Sequence, residues 1–184
     1  FSSPSGAGKT TLLAHLRAEL PGLVYSISVT TRKPRAGEIQ GVHYFFMDKQ
    51  EFRERADHGE FAEWQEVHGN YYGTPRALID LMIARGRHVV MDIDVKGKRQ
   101  FDEAYPEAVG VLVLPPSPEQ LEQRLRERGT DSEEAIATRL ANARDEVDFA
   151  RREGKYEHTI VNDNLEQAKN EAVRLVTSIL SSDP

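Results

Sequence analysis

The chain has 184 residues, no cysteine and a formal net charge of −6, and its 39% hydrophobic and 29% charged residues are the balance of an ordinary globular enzyme. These values predict a single domain. They exclude disulfides, thiolate metal sites and a cysteine nucleophile, and argue against a nucleic-acid-binding face, which calls for a basic stripe. No apolar run approaches the ~18–20 residues of a membrane span, and no signal-peptide pattern precedes the first motif. The expectation is a cytoplasmic protein with neither membrane nor nucleic acid among its partners.

The first element is a loop, Ser3-Pro4-Ser5-Gly6-Ala7-Gly8-Lys9-Thr10. It matches G-x-x-x-x-G-K-[ST] except that Ser3 stands at the first glycine. Two glycines let successive N–H groups turn toward an anion, and the helix that follows presents its positive dipole end to phosphate. Lys9 is placed to supply a point charge for the β- and γ-phosphates, and the Thr10 hydroxyl is placed to ligate Mg2+. Such a loop ordinarily follows a buried strand. Only a stub of it is present at Phe1, so most of that strand is expected upstream.

Residues 10–20 then read as a helix ended by Pro21-Gly22, 23–28 as a strand, and the Arg-, Pro- and Gly-rich 30–41 as a loop. A strand over 42–47 precedes a helix capped by Asp48, with Glu51 completing a capping box. Residues 61–67 read as a strand and 69–73 as a turn. Thr74-Pro75 predicts a helix start with proline at the first helical position, running to Gly86. The apolar run 89–91 is of the buried-strand type, closed by Asp92 and Asp94, and 109–114 is a second one. Helices are expected from Ser117-Pro118 to Gly129 and from Asp131 to about Arg152. A strand over 158–161 and a helix over 165–180 complete the chain. The alternation predicts an α/β fold with a parallel sheet flanked by helices. A small insert at 28–74 and a helical, arginine-rich stretch at 121–152 depart from it.

The insert carries Arg32 and Arg35, whose guanidinium forks suit phosphate, and Tyr44, Tyr71 and Tyr72, which add phenolic donors. The same residues also fit a solvated basic loop. Glu63 lies between apolar neighbours, where a carboxylate needs donors. Guanine offers two adjacent donors and adenine a lone pair, although an exposed strand glutamate fits the pattern too. Asp92 and Asp94 share one face of an extended segment. Asp92 is placed as a Mg2+-holding acid, while helix capping remains open for both. Arg124 and Arg128, four apart, and Arg139 suit the charge of a transferring phosphoryl group, or surface ion pairs. Transfer arginines imply a mobile lid.

Taken together, Pro4–Thr10, Ser28-Val29-Thr30-Thr31-Arg32-Lys33-Pro34-Arg35-Ala36-Gly37-Glu38, Gly41-Val42-His43-Tyr44, Phe61-Ala62-Glu63-Trp64, Gly69-Asn70-Tyr71-Tyr72-Gly73-Thr74, Asp92-Ile93-Asp94, Arg124-Leu125 through Arg128-Gly129-Thr130, and Ile160-Val161-Asn162-Asp163 resemble guanylate kinases in order and spacing. The resemblance implies a P-loop kinase fold with a core (1–27, 75–120, 153–184), a GMP-binding subdomain (28–74) and a lid (121–152). It implies transfer of a phosphoryl group from ATP to GMP with Mg2+ as cofactor. It casts Lys9, Arg124, Arg128 and Arg139 as catalytic, and Ser3 to Thr11 with Asn162 as the ATP side. Ser28, Arg32, Arg35, Tyr44, Glu63, Tyr72, Gly73, Thr74 and Asp94 become the GMP side, and Thr10 and Asp92 the metal side. The alternatives are a catalytically inactive phosphopeptide-binding module, a P-loop kinase for another phosphorylated acceptor, and a nucleotide-regulated switch. Lys9 and the lid arginines speak against the module. The partners implied are ATP and GMP, and a homo-oligomer is compatible with the sequence.

Overall fold

The computed structural model describes residues 1–67, 69–127, 129 and 132–182. Among them are seven helices and eight strands, divided between two compact units, each built on its own sheets. No helix among the described residues is long and apolar enough to cross a membrane.

The first unit comprises Phe1–Pro21, Asp92–Arg99 and Glu107–Pro184. Its sheet pairs β7 (Val111–Leu114) in parallel with β8 (His158–Val161). Ser2 extends it on the other side, its N–H donating to the Val111 carbonyl and its carbonyl accepting from Val113. The apolar run of β7 is buried, as expected for a parallel strand covered on both faces. Helix α1 (Lys9–Glu19) buries Leu12, Leu13 and Leu16 and packs with α7 (Leu165–Ser182). The buried positions of α7, Ala168, Ala172 and Val176, recur every four residues and form one stripe. Helices α5 (Pro118–Glu127) and α6 (Glu133–Glu153) share a core of Leu121, Leu125, Ile136 and Ala143.

The second unit comprises Gly22–Met91 and Gln100–Pro106. Strands β1 (Val24–Tyr25) and β6 (Val89–Val90) pair in parallel. A mixed four-stranded sheet runs in the order β3 (Phe45–Phe46), β2 (Val29–Thr30), β5 (Asn70–Pro75), β4 (Phe61–Val67). Helix α2 (Lys49–Asp57) covers β4 and β5 with Phe52, which is fully buried. Its ring stacks on Phe61 at 4.4 Å and Tyr71 at 5.3 Å, each such pair adding roughly 0.5–1.5 kcal/mol beyond area burial. Helix α3 (Arg76–Ala84) buries Ile79.

Several sequence expectations are corrected. Residues 70–75 form a strand, not a turn, because the antiparallel ladder with β4 runs from Val67–Asn70 to Phe61–Pro75. Thr74 therefore lies in β5 and Pro75 is the extended N-cap of α3, one residue before its first turn. Asp131 lies outside the described residues, and α6 is capped by Ser132, whose hydroxyl accepts the Ala135 N–H at 3.3 Å. A further helix, α4 (Val95–Ala104), stands where no element was expected, and the division between the units falls within it. The strands expected at 23–28 and 42–47 shrink to the residues that find ladder partners. Asp48 caps α2 through the Glu51 N–H at 2.8 Å, while the Glu51 carboxylate pairs with Arg55 rather than closing the box.

Candidate active site

In the first unit the loop from Ser3 to Thr10 springs from the short ladder at Ser2. Gly6 and Gly8 both take φ of 93°, a region open to glycine and strained for other residues. Space reinforces the choice. A Cβ at Gly6 would lie 2.9 Å from Leu121 Cδ1, and one at Gly8 would run into Asn162 Nδ2. The Ala7 N–H donates to the Pro4 carbonyl at 3.2 Å. No side chain caps the N-terminus of α1, so its dipole end stays available to an anion.

Lys9 is the cation of this loop. Its Nζ pairs with the Asp92 carboxylate and donates to the Ile93 carbonyl at 3.1 Å. Asp94 Oδ1 accepts the N–H groups of Lys96 and Gly97 at 2.8 and 2.6 Å, which makes it the cap of α4. Glu146 of α6, to which sequence reasoning gave no role, accepts the Ser5 N–H at 3.1 Å. Burial pushes its carboxyl above the usual range, and Asp94 adds to the rise while Lys9 and Lys96 oppose it. Since 141 residues separate the two partners, no local pattern could have found this contact.

A cavity of about 390 Å³ opens beside the loop, lined by Gly6, Gly8, Thr11, Arg124 and Asn162 among others. Arg124 donates to the Asp163 carbonyl at 3.0 Å. Asn162 is 3% exposed; its Nδ2 holds the Ala7 carbonyl at 2.8 Å, and its Oδ1 is buried without a hydrogen-bond partner. Such an acceptor asks for a donor from a ligand or water. Arg139 lies half-buried on α6, and Arg128 lies outside the described residues.

The second unit gathers most of the residues expected on the acceptor side. Glu63 is 7% and Thr74 1% exposed. They face each other across β4 and β5, with Thr74 Oγ1 donating to Glu63 Oε1 at 2.5 Å. Gly73, next to Thr74 and opposite Trp64, is favoured by space, since a Cβ would sit 3.1 Å from Phe52, Phe61 and Trp64. The Arg32 guanidinium lies 5.5 Å from the Tyr44 ring centroid, and Tyr44 meets Tyr72 edge-on at 6.1 Å. Arg32 also forms a two-pronged bond with Glu38, both N···O distances being 2.9 Å. That bond and the Arg35 N–H lower the Glu38 carboxyl to about 2, and Glu38 with Tyr72 raises Arg32 further above its ordinary value. Glu38 was quoted in the sequence pattern without a role; a lone acid among Arg32, Lys33 and Arg35 was the available signal. Arg35 is exposed, and the Ser28 carbonyl accepts from Phe45, tying β2 to β3.

The comparisons agree with this geometry. The guanylate kinase family model matches residues 1–179. A guanylate kinase of Carboxydothermus hydrogenoformans is 48% identical over 177 residues, 96% of this chain and 85% of that protein. One from Oleidesulfovibrio alaskensis is 51% identical over 169 residues, 92% and 81% of the two chains. The crystal structure of guanylate kinase from Anaplasma phagocytophilum superposes with a TM-score of 0.72 at 32% identity, covering 96% of this chain and 82% of its own. A glycine-cradled loop, a buried carboxylate and these matches over nearly the whole length lead to one conclusion: the chain belongs to the guanylate kinase family.

Proposed function

We propose that the chain transfers the γ-phosphoryl group of ATP to GMP, giving ADP and GDP, and that it does so in the cytoplasm. The observation that carries the acceptor is the buried Glu63 carboxylate, held by Thr74. Its oxygens can accept from the ring N–H and the exocyclic amine of guanine, whereas adenine would set a lone pair against it. Ser28, Gly73 and Asp94 complete the guanine side in this reading. Arg32, Arg35, Tyr44 and Tyr72 grip the GMP phosphate. Residues 28–74 thus act as the GMP-binding part and 121–152 as the lid.

The donor half rests on the loop from Ser3 to Thr11, whose amides cradle the phosphates, with Asn162 meeting the base. Lys9 leaves Asp92 to sit against the β- and γ-phosphates, and Arg124, Arg128 and Arg139 take up the charge of the group in flight. A GMP phosphate oxygen bonds to the γ-phosphorus as the bond from that phosphorus to the bridging oxygen breaks, its electron pair leaving on ADP. The attacking oxygen already carries charge, so alignment and charge neutralisation suffice and no general base is required.

The Thr10 hydroxyl and the Asp92 carboxylate, hard oxygen donors of the first unit, fit Mg2+. Among the described residues no group of three or more His, Cys, Asp or Glu could hold a metal alone, so phosphate and water would fill the remaining positions. Bound there, Mg2+ would neutralise charge on the phosphates.

The test is ADP release from ATP and Mg2+ with GMP, AMP, UMP and CMP in turn. Turnover confined to GMP is expected. Strong use of AMP or UMP without GMP refutes the acceptor, and slow ATP hydrolysis indifferent to GMP replaces the transferase with a switch.

A further inference from the structure

Two donors of the phosphate loop are engaged by acids of the chain itself. Lys9 is held by Asp92 and by the Ile93 carbonyl. The Ser5 N–H, one of the loop amides, donates to Glu146 Oε2 at 3.1 Å. Glu146 is half-buried on α6, with Lys9 and Lys96 attracting its charge and Asp94 repelling it. A carboxylate oxygen on a loop amide resembles a phosphate oxygen in charge, size and acceptor geometry. Two anions cannot share that one donor. Asp92 has a use in the reaction as a metal-side acid, but Glu146 has none in the mechanism above.

We propose that Glu146 is a further functional residue of the ATP site: its carboxylate occupies the Ser5 amide as a stand-in for a phosphate oxygen, and the triphosphate must displace it to seat. Glu146 thereby sets the affinity for the donor nucleotide and ties the position of α6, which also carries Arg139, to whether the loop is filled. The inference rests on reading the loop as the triphosphate site. It concerns binding of the donor, not the chemical step.

Glu146→Gln keeps the shape and replaces the charged acceptor by a neutral one, and Glu146→Ala removes it. Binding of ATP and of inorganic tripolyphosphate would be measured calorimetrically on the full chain, with the Ser5 amide followed by 15N NMR. Loss of one charge-assisted competitor predicts affinity higher by roughly 3–30-fold for Glu146→Ala and a smaller gain for Glu146→Gln. GMP affinity should be unchanged, and KM for ATP should fall without a rise in kcat. In the unliganded protein the Ser5 amide resonance should move on either substitution, and tripolyphosphate should move it in wild type. If Glu146→Ala folds poorly by thermal melt, Glu146→Gln decides alone. Equal or weaker ATP binding in the folded variants overturns the proposal and makes Glu146 a brace of the loop. Wild type that binds neither ligand, or binds them equally after Lys9→Ala, overturns the loop reading as well. Lys9-dependent binding with no gain from the Glu146 variants overturns only the role of Glu146.

Discussion

Thr74 donates its hydroxyl proton to the carboxylate of Glu63 at 2.5 Å, directly across the β4–β5 ladder and with both residues buried. The bond fixes one carboxylate oxygen and so orients the other. Glu63→Gln keeps the volume but removes the charge and turns one acceptor into a donor. We expect kcat/KM for GMP to fall about 100-fold or more, in line with loss of a hydrogen bond a buried site is built around, while ATP affinity measured alone stays within a factor of two to three (roughly, on the scale of tenfold per 1.4 kcal/mol). Thr74→Val leaves Glu63 short of a buried donor and should cost about 1–3 kcal/mol in urea unfolding. Equal losses for GMP and ATP in Glu63→Gln would remove its role as a base reader.

Gly8→Ala meets two obstacles at once, a φ of 93° and the Asn162 side chain in the space its methyl would enter. The strain should lower stability by about 1–3 kcal/mol. Asn162 would have to give way, releasing the Ala7 carbonyl, so ATP binding should weaken more than stability does. Titration with a fluorescent ATP analogue and a denaturant melt on the same sample check both halves. Unimpaired binding is the outcome that contradicts this account.

Lys9→Met removes the loop cation while keeping an unbranched stem. One preorganised charge of this kind typically supplies about 10²–10³ in kcat, so a loss of that order or larger is expected in the ADP-release assay. The fold should survive, because Lys9 touches Asp92 and one carbonyl rather than the apolar core. A circular dichroism melt within a few degrees of wild type, alongside the lost turnover, is the predicted pair of results.

Glu38 gives a pH test with a definite sign. Its carboxyl lies at about 2 in the folded chain against an ordinary 4.5, so its bond to Arg32 stabilises the fold above the unfolded value and is lost as pH falls through the folded one. The difference in urea midpoint between wild type and Glu38→Gln should therefore be constant near neutrality and shrink between pH 4.5 and 2. A difference that grows on acidification would contradict the pairing. Only 15% and 17% of the two side chains are exposed, so the effect should weaken little as ionic strength rises.

How far the sequence could be read depended on the range of the interactions involved. The phosphate loop, β4 and β8 are local: a glycine pattern and two short stretches read as strands over 61–67 and 158–161 fall at the residues where the structure has them. Of the turn expected at 69–73 only Gly69 is a turn residue; 70–73 extend as strand because Gly73, which reads as a breaker, is the residue on which Phe52, Phe61 and Trp64 can pack. Helix α4 was hidden because Val95–Ala104 is charged, carries Gly97 and starts from an aspartate read as a ligand. That aspartate, Asp94, caps the helix through two backbone amides. Glu146 and the Arg32–Glu38 fork depend on where side chains meet, and only the second lies close enough in sequence to have been suspected.

The bond between Asn162 Nδ2 and the Ala7 carbonyl spans 155 residues. During synthesis, therefore, the phosphate loop leaves the ribosome 155 residues ahead of its last support and waits for it. At ~5–20 residues per second, that partner arrives roughly 8–30 s later. Until β8 has paired with β7 and carried Asn162 into place, the loop of a nascent chain lacks its bond at the Ala7 carbonyl. On the function proposed above, nucleotide would therefore stabilise only chains that reach Asn162, and a chain truncated before it should show no rise in melting temperature with ATP.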